Sequence, residues 1–191
     1  MHNSLLVVLS SPSGGGKSSL AKALIKANPN FILSISITTR EPRPGEVNGK
    51  DYYFVSKQDF DRMHSNNELL EITQIVNNYY GTSKVLTEEL MRQGKNIIFT
   101  IDPFGALELK KIWPDNVVTI FIDTPSIDEL KSRMITRGQD SMEVIEARLI
   151  QAQDILSYKN DYDNIIMNNV FDNTLKDIQQ IIANASFHQK K

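Results

Sequence analysis

The stretch Leu5-Leu-Val-Val-Leu-Ser-Ser-Pro-Ser-Gly-Gly-Gly-Lys-Ser-Ser19 constrains this chain more than any other. Leu5 to Leu9 is a short apolar run bounded by turn residues, the pattern of a buried strand in a parallel sheet. It runs into Ser11, Pro12, Ser13, Gly14, Gly15 and Gly16, and Lys17-Ser18 then opens a helical pattern through Lys26. Strand, glycine loop, Lys-Ser and helix form the context a phosphate-binding loop requires. Glycines let backbone N–H groups turn inward without steric cost, and the helix N-terminus adds unpaired donors and partial positive charge. Lys17 is then expected to reach the terminal phosphates, and the Ser18 hydroxyl to hold Mg²⁺. Ser11 departs from the pattern G-x-x-x-x-G-K-[ST]; a serine held there in a left-handed or strained conformation would cost on the order of 1 kcal/mol, which does not remove the cradle. Taken alone, the segment also fits a glycine-rich turn before an ordinary helix.

The chain has 191 residues, enough for one domain with a real core. A net charge of −2 removes any bulk electrostatic case for nucleic acid or a membrane surface. There is no cysteine, so no disulfide and no thiolate zinc site. His2, His64 and His188 are far apart and suggest solvated surface rather than a metal cluster. Apolar runs are far shorter than a membrane span, and the first strand begins too early for a signal peptide. The expected class is a cytoplasmic enzyme.

The helix opened by Lys17 stops at Asn28-Pro29-Asn30. Phe31 to Ile37 reads as a strand leading into Thr38-Thr-Arg-Glu-Pro-Arg-Pro-Gly45, an extended loop carrying Arg40 and Arg43. Val47-Asn-Gly-Lys50 is a hairpin-type turn signal, and Asp51 to Val55 a strand. Ser56 with Asp59 starts a weak helix; Glu68 to Val76 and Tyr79 to Thr82 are short strands; Ser83 to Gln93 is helical and ends at Gly94. Asn96 to Asp102 reads as a buried strand ending in a carboxylate, and Pro103 begins a helix to about Ile112. Val117 to Ile122 is another buried strand. Ser126 with Glu129 caps a helix to about Arg137, and Asp140 with Glu143 is expected to cap the next, with Ile145, Leu149, Ala152 and Leu156 in one stripe. Tyr162 to Met167 is the last strand and Asn173 to about Ala185 the last helix, with a frayed tail over Phe187 to Lys191. Strands alternate with helices at both ends of the chain, so the expected fold is α/β: a phosphate-loop parallel sheet with helices on both faces. The β-rich interval from about 36 to 95 reads as an insertion on that core.

The insertion supplies the second substrate. Arg40 and Arg43 present guanidinium forks suited to bidentate phosphate binding, and Tyr52 and Tyr80 add hydroxyl donors. Glu71 could accept both the N1–H and the exocyclic amino group of guanine, while the Thr82 hydroxyl donates to O6. Adenine, with an acceptor at N1, would be repelled. Arg133 and Arg137 lie on one helical face and Arg148 on the next helix, a group able to stabilise a transferring phosphoryl from a mobile lid. Each group also has a plainer reading: solvated arginines and core tyrosines, an exposed strand carboxylate, salt-bridged helix arginines.

Together, Ser10 to Lys17, Ser36-Ile-Thr-Thr-Arg-Glu-Pro-Arg-Pro-Gly-Glu-Val-Asn-Gly-Lys-Asp-Tyr52, Asn78-Tyr-Tyr-Gly-Thr82, Ile101-Asp102 and Arg137-Gly138 resemble guanylate kinases over essentially the whole chain. The resemblance implies a nucleotide-binding core (1–35 and 96–191), a GMP-binding insertion at about 36–95 and a helical lid at about 127–148. It implies that Ser36, Arg40, Arg43, Tyr52, Glu71, Tyr80 and Thr82 bind GMP. It assigns Lys17, Arg137 and Arg148 to phosphate stabilisation, with Arg133 beside them, and places Asn168 near the ATP adenine. The implied reaction is Mg²⁺-dependent phosphoryl transfer from ATP to GMP, and to dGMP, within purine nucleotide metabolism, by a monomer or homodimer. Asp102 is expected to orient Mg²⁺-bound water or Lys17; the plainer reading is a turn carboxylate before proline. The rivals are a kinase for another small acceptor and a catalytically dead binding module; the retained Lys17 and lid arginines oppose the second.

Two further positions depart from the family. Thr100 stands where an acidic residue usually assists guanine binding, and Phe104 where glutamine is usual. A charge-assisted hydrogen bond contributes about 1.5–3 kcal/mol. Thr100→Asp is therefore expected to tighten GMP binding or sharpen guanine-over-adenine selectivity by tenfold or more; unchanged affinity and selectivity would remove Thr100 from the account.

Overall fold

Every side chain of Leu6–Ser10 is buried, and alternate residues of this segment feed two separate cores. That is how the strict two-residue side-chain period of a central strand serves helices on both faces. The chain is described by a computed structural model over residues 4–75 and 77–188. In chain order its elements are β1 (Leu6–Ser10), α1 (Lys17–Ala27), β2 (Phe31–Leu33), β3 (Ile37–Thr38), β4 (Tyr53–Phe54), α2 (Lys57–Ser65), β5 (Leu69–Ile75), β6 (Asn78–Ser83), α3 (Lys84–Arg92), β7 (Asn96–Phe99), α4 (Pro103–Ile112), β8 (Val117–Asp123), α5 (Ile127–Arg137), α6 (Met142–Ser157), β9 (Asn164–Met167) and α7 (Phe171–His188).

The main sheet has the order β2-β7-β1-β8-β9, with every pairing parallel. On one face Val7 and Leu9 pack with Leu20 and Leu24 of α1 and with Ile178 and Ile182 of α7. On the other, Leu6 and Val8 pack with Met91 of α3 and with Ala106 and Leu109 of α4. Fully burying one such aliphatic side chain contributes about 1.5–3 kcal/mol. The strands end together at one edge, where open parallel sheets bind ligands. A second sheet, β4-β3-β6-β5, is built from the intervening segment. A third apolar cluster, Leu130, Met134, Ile145 and Ala152, joins α5 to α6. No described helix is long and apolar enough to cross a membrane.

Several local expectations are corrected. Phe31 to Ile37 is not one strand, because the chain changes sheets within it: the Ser34 N–H bonds Ile98 of the main sheet, whereas the Ser36 carbonyl accepts from Tyr53 of the second. The Asn48-Gly49 turn joins no hairpin. Gly49 takes a left-handed φ of 77° and the Lys50 and Asp51 N–H groups close on Val47, but β3 and β4 then pair in parallel. Only Tyr53–Phe54 of the predicted Asp51–Val55 strand is extended. The strand before Asp102 ends at Phe99, and Asp102 caps α4 by accepting from the Gly105 N–H at 2.9 Å. The cap of α6 is Ser141, not Asp140. The last strand starts at Asn164, because Tyr162 turns its ring onto Phe121 in the core. The last helix runs through His188, past the expected fray point. Val76, His2 and Gln189 to Lys191 lie outside the described residues, as does the side chain of His188; His64 is exposed on α2.

Ile120, fully buried in β8, and Ile150, 71% exposed on α6, test this packing. Ile120→Ala is expected to lose about 2–5 kcal/mol of unfolding free energy in urea. Ile150→Ala should stay within about 0.5 kcal/mol.

Candidate functional site

The loop after β1 curls so that a Cβ on Gly15 would lie 2.3 Å from the Ser11 hydroxyl, and one on Gly16 2.6 Å from Asn168 Nδ2. Gly14 and Gly16 have φ of 85° and 100°. Backbone therefore lines the cradle because side chains have no room there. Asn168, buried at the end of β9, donates to the Gly15 carbonyl at 2.9 Å and accepts from Thr174 at 3.0 Å. It braces the loop from behind, in addition to lining the cavity in front. Lys17 Nζ folds back to donate to the Ser11 carbonyl and, at 3.3 Å, to its hydroxyl. Burial lowers the Lys17 ammonium to about 8; Asp102 opposes that shift, while Arg148 and Arg137 add to it.

The loop opens on a cavity of about 890 Å³ lined by the segments that follow β1, β7 and β9 of the main sheet, by the second sheet and by α5 and α6. Of the residues expected in the site, Ser11 to Ser18, Ser36, Arg40, Arg43, Tyr52, Glu71, Tyr80, Thr100, Asp102, Arg133, Arg137, Arg148 and Asn168 all line it. Thr82 does not. It is 1% exposed and donates to Glu71 Oε1 at 2.7 Å, so it holds the carboxyl group rather than facing the cavity.

Arg40 is fixed by a two-point pair with Glu46, at 2.8 and 2.9 Å, and stacks 5.3 Å from the centre of the Tyr52 ring. Glu46 also accepts from the Arg43 N–H at 2.7 Å, which pins the proline-containing loop. Burial, with Tyr80 adding, pushes the Tyr52 phenol up, so it stays a neutral hydroxyl. Across the cavity, Arg148 donates to the Ser13 hydroxyl at 3.0 Å. Arg133 donates to Glu129 at 2.8 Å and to the Asn168 carbonyl at 3.0 Å, a contact that ties α5 to the end of β9.

At the opposite end Glu71 is 7% exposed. Burial raises its carboxyl to about 7, against the Thr82 hydrogen bond, with Asp102 adding to the rise. Its side chain lies against α4, where a Cβ on Gly105 would meet Glu71 Cγ and Oε2 at 3.0 Å. Asp102 accepts from the Thr73 hydroxyl as well as from the Gly105 N–H. Thr100 lines the same end, and Phe104 packs edge-on against Tyr158 at 4.9 Å.

A model of the guanylate kinase family matches residues 3–185. The chain belongs to the guanylate kinase family. It is 49% identical over 182 residues to the guanylate kinase of Rickettsia felis, spanning 95% of this chain and 94% of that protein. It is 41% identical over 178 residues to that of Maricaulis maris, spanning 93% and 82%. The guanylate kinase structure from Anaplasma phagocytophilum aligns with a TM-score of 0.80 at 33% identity, over 97% of this chain and 88% of that one.

Within this guanylate kinase fold, sequence reasoning missed Glu46, Thr73, Gly105 and the role of Asp140. Thr73 carried a signal, since it stands two residues from Glu71 and so shares its face of β5. Arg137 and Asp140 are three apart, but Gly138, left-handed at φ 63°, ends the helix between them and hides the pairing.

An ionised Glu71 is the better acceptor for paired donors. With its carboxyl raised to about 7, kcat/KM for GMP should climb as pH rises through 7. Thr82→Val removes the hydrogen bond that favours the ionised form and should move that rise to higher pH. Glu71→Gln should abolish it; a profile that neither variant alters would contradict this reading.

Proposed function

We propose that this chain transfers the γ-phosphoryl group of ATP to GMP, and to dGMP, giving ADP with GDP or dGDP respectively, with Mg²⁺, in the cytoplasm and in the service of purine nucleotide metabolism. The observation that carries the reading is one cavity lined together by a phosphate-binding loop, five arginines and a buried carboxyl group. Family membership supports the same reading.

In this account Glu71 accepts the two adjacent guanine donors, and Thr82 and Gly105 keep its carboxylate in place. Arg40, Arg43, Tyr52, Tyr80 and Ser36 hold the GMP phosphate. The glycine loop wraps the ATP phosphates, and Lys17 moves from its own loop carbonyl onto them. Arg137, Arg148 and Arg133 act from α5 and α6, the lid of this reading, and cover the transferring group with positive charge while excluding water. The attacking group is already an anionic phosphate oxygen, so no general base is needed.

The donor set suits Mg²⁺. Ser18 is exposed beside Lys17, and among the described residues no cluster of three His, Cys, Asp or Glu could cage a metal. Mg²⁺ keeps much of its water and needs few protein ligands when phosphates bind it. Ser18 would hold it directly and Asp102 through water, and the bound ion would offset phosphate charge.

ADP release measured over GMP, dGMP, AMP, UMP and CMP should show turnover only with the two guanine monophosphates. Lys17→Ala should lower kcat by about 100-fold or more. Its GMP affinity should stay within about threefold; equal loss of GMP binding would contradict the separation of the two ends. Comparable rates with AMP would overturn the substrate assignment.

A further inference from the structure

Asp140 lies in the short connection between α5 and α6, where an aspartate would ordinarily cap the following helix. Ser141 takes that role by accepting from the Val144 N–H, which leaves both Asp140 oxygens free for other partners. Oδ1 accepts from Arg43, which belongs to the loop of the second sheet. Oδ2 accepts from Arg137 at 2.7 Å and faces Arg148 Nε at 3.7 Å. The Asp140 side chain is only 6% exposed. Burial disfavours its charge, yet the guanidinium groups of Arg148, Arg43 and Arg137 hold the carboxyl below its ordinary range.

One shielded carboxylate thus sits among three guanidinium groups drawn from opposite walls of the cavity. Exposed single ion pairs contribute little, but a shared and shielded charge is different. Without it, three like charges would repel one another across the space that must receive phosphate. The carriers of two of them can respond, because α5 and α6 share their own apolar cluster and can shift together as a body. The carboxylate also has the right chemistry to be displaced. A phosphate offers the same charge-assisted acceptors to the same forks, so the arginines can pass to substrate with little rearrangement.

We propose that Asp140 is a positioning residue for phosphoryl transfer: it gathers Arg43, Arg137 and Arg148 about one carboxylate and ties the α5–α6 lid to the second sheet between turnovers. The kinetic part of this proposal rests on the guanylate kinase reading above; the tie itself does not.

The chain contains no cysteine, so a spin-label pair can be placed cleanly at Glu41→Cys and Glu146→Cys, both exposed, one on each side of the tie. Distances are measured in the labelled full chain without nucleotide, and kcat and KM for GMP are measured in the unlabelled chain. With Asp140 intact, one short, narrow distance distribution is expected. Asp140→Asn should add a longer population and lower kcat at least tenfold, and Asp140→Glu should restore both to within about threefold. Arg43→Gln cuts the same tie from the other wall and should add the longer population too, which keeps the test open if Asp140→Asn does not fold. Unchanged distances with unchanged kcat would overturn the proposal. So would a lower KM for GMP at unchanged kcat, the mark of a carboxylate that merely competes for Arg43, or a loss of thermal stability alone. If the unaltered chain turns over no guanine nucleotide, the enzymatic reading fails, while the distances still decide whether Asp140 makes the tie.

Discussion

Lys17 and five arginines face one cavity, and holding so many like charges together is the constraint on which the rest of the site depends. Unit charges a few ångströms apart at the protein surface interact by several kcal/mol, at about 4 kcal/mol for 4 Å and an effective dielectric of 20. Substrate phosphates would offset that repulsion, and the protein provides its own substitutes. Glu46 takes Arg40, Asp140 stands among Arg43, Arg137 and Arg148, and Glu129 takes Arg133. Among the described residues no carboxylate lies in hydrogen-bonding reach of Lys17; it turns to a loop carbonyl, and burial lowers its ammonium to about 8.

The fold brings these groups together through the ends of its strands. β1 delivers the glycine loop, β7 leads to Asp102, and β8 and β9 carry the chain to α5 and to Asn168. The second sheet closes the other side with Arg40, Arg43 and Glu71. The Glu71 side of the cavity, proposed above to take guanine, works on the opposite electrostatic principle. There a carboxyl group is buried without a cation, so it rises to about 7 and awaits a partner with two donors. Under the proposed function, such a site would discriminate by charge pattern as much as by shape.

What the sequence made legible was local. The glycine loop, Lys17, the face shared by Arg133 and Arg137, the caps at Ser56 and Ser126 and the helix start at Pro103 follow from residues close together in the chain. The buried strands were legible because a parallel sheet covered on both faces demands continuous apolar runs. The change of sheet at Ser34 to Ser36 was not, since both sheets accept the same alternating pattern. β3 and β4 are two residues each, too short to show a period or a direction. The misplaced roles have the same cause at longer range. Whether Thr82 faces the cavity or Glu71 depends on a cross-strand neighbour, and Asp140 meets Arg43 across 97 residues of sequence. Asn168, placed by resemblance near a nucleotide base, also gives its amide to the loop it backs, a contact across 153 residues.

An arginine-lined phosphate site whose internal carboxylates yield to substrate should draw most of its affinity from the phosphate of its ligand. Calorimetric titration of GMP against guanosine, repeated at low and high salt, tests it most directly. GMP should bind at least 100-fold more tightly than guanosine, and salt should erode this advantage while leaving guanosine binding little changed. Equal affinities for the two, or a GMP advantage insensitive to salt, would contradict it.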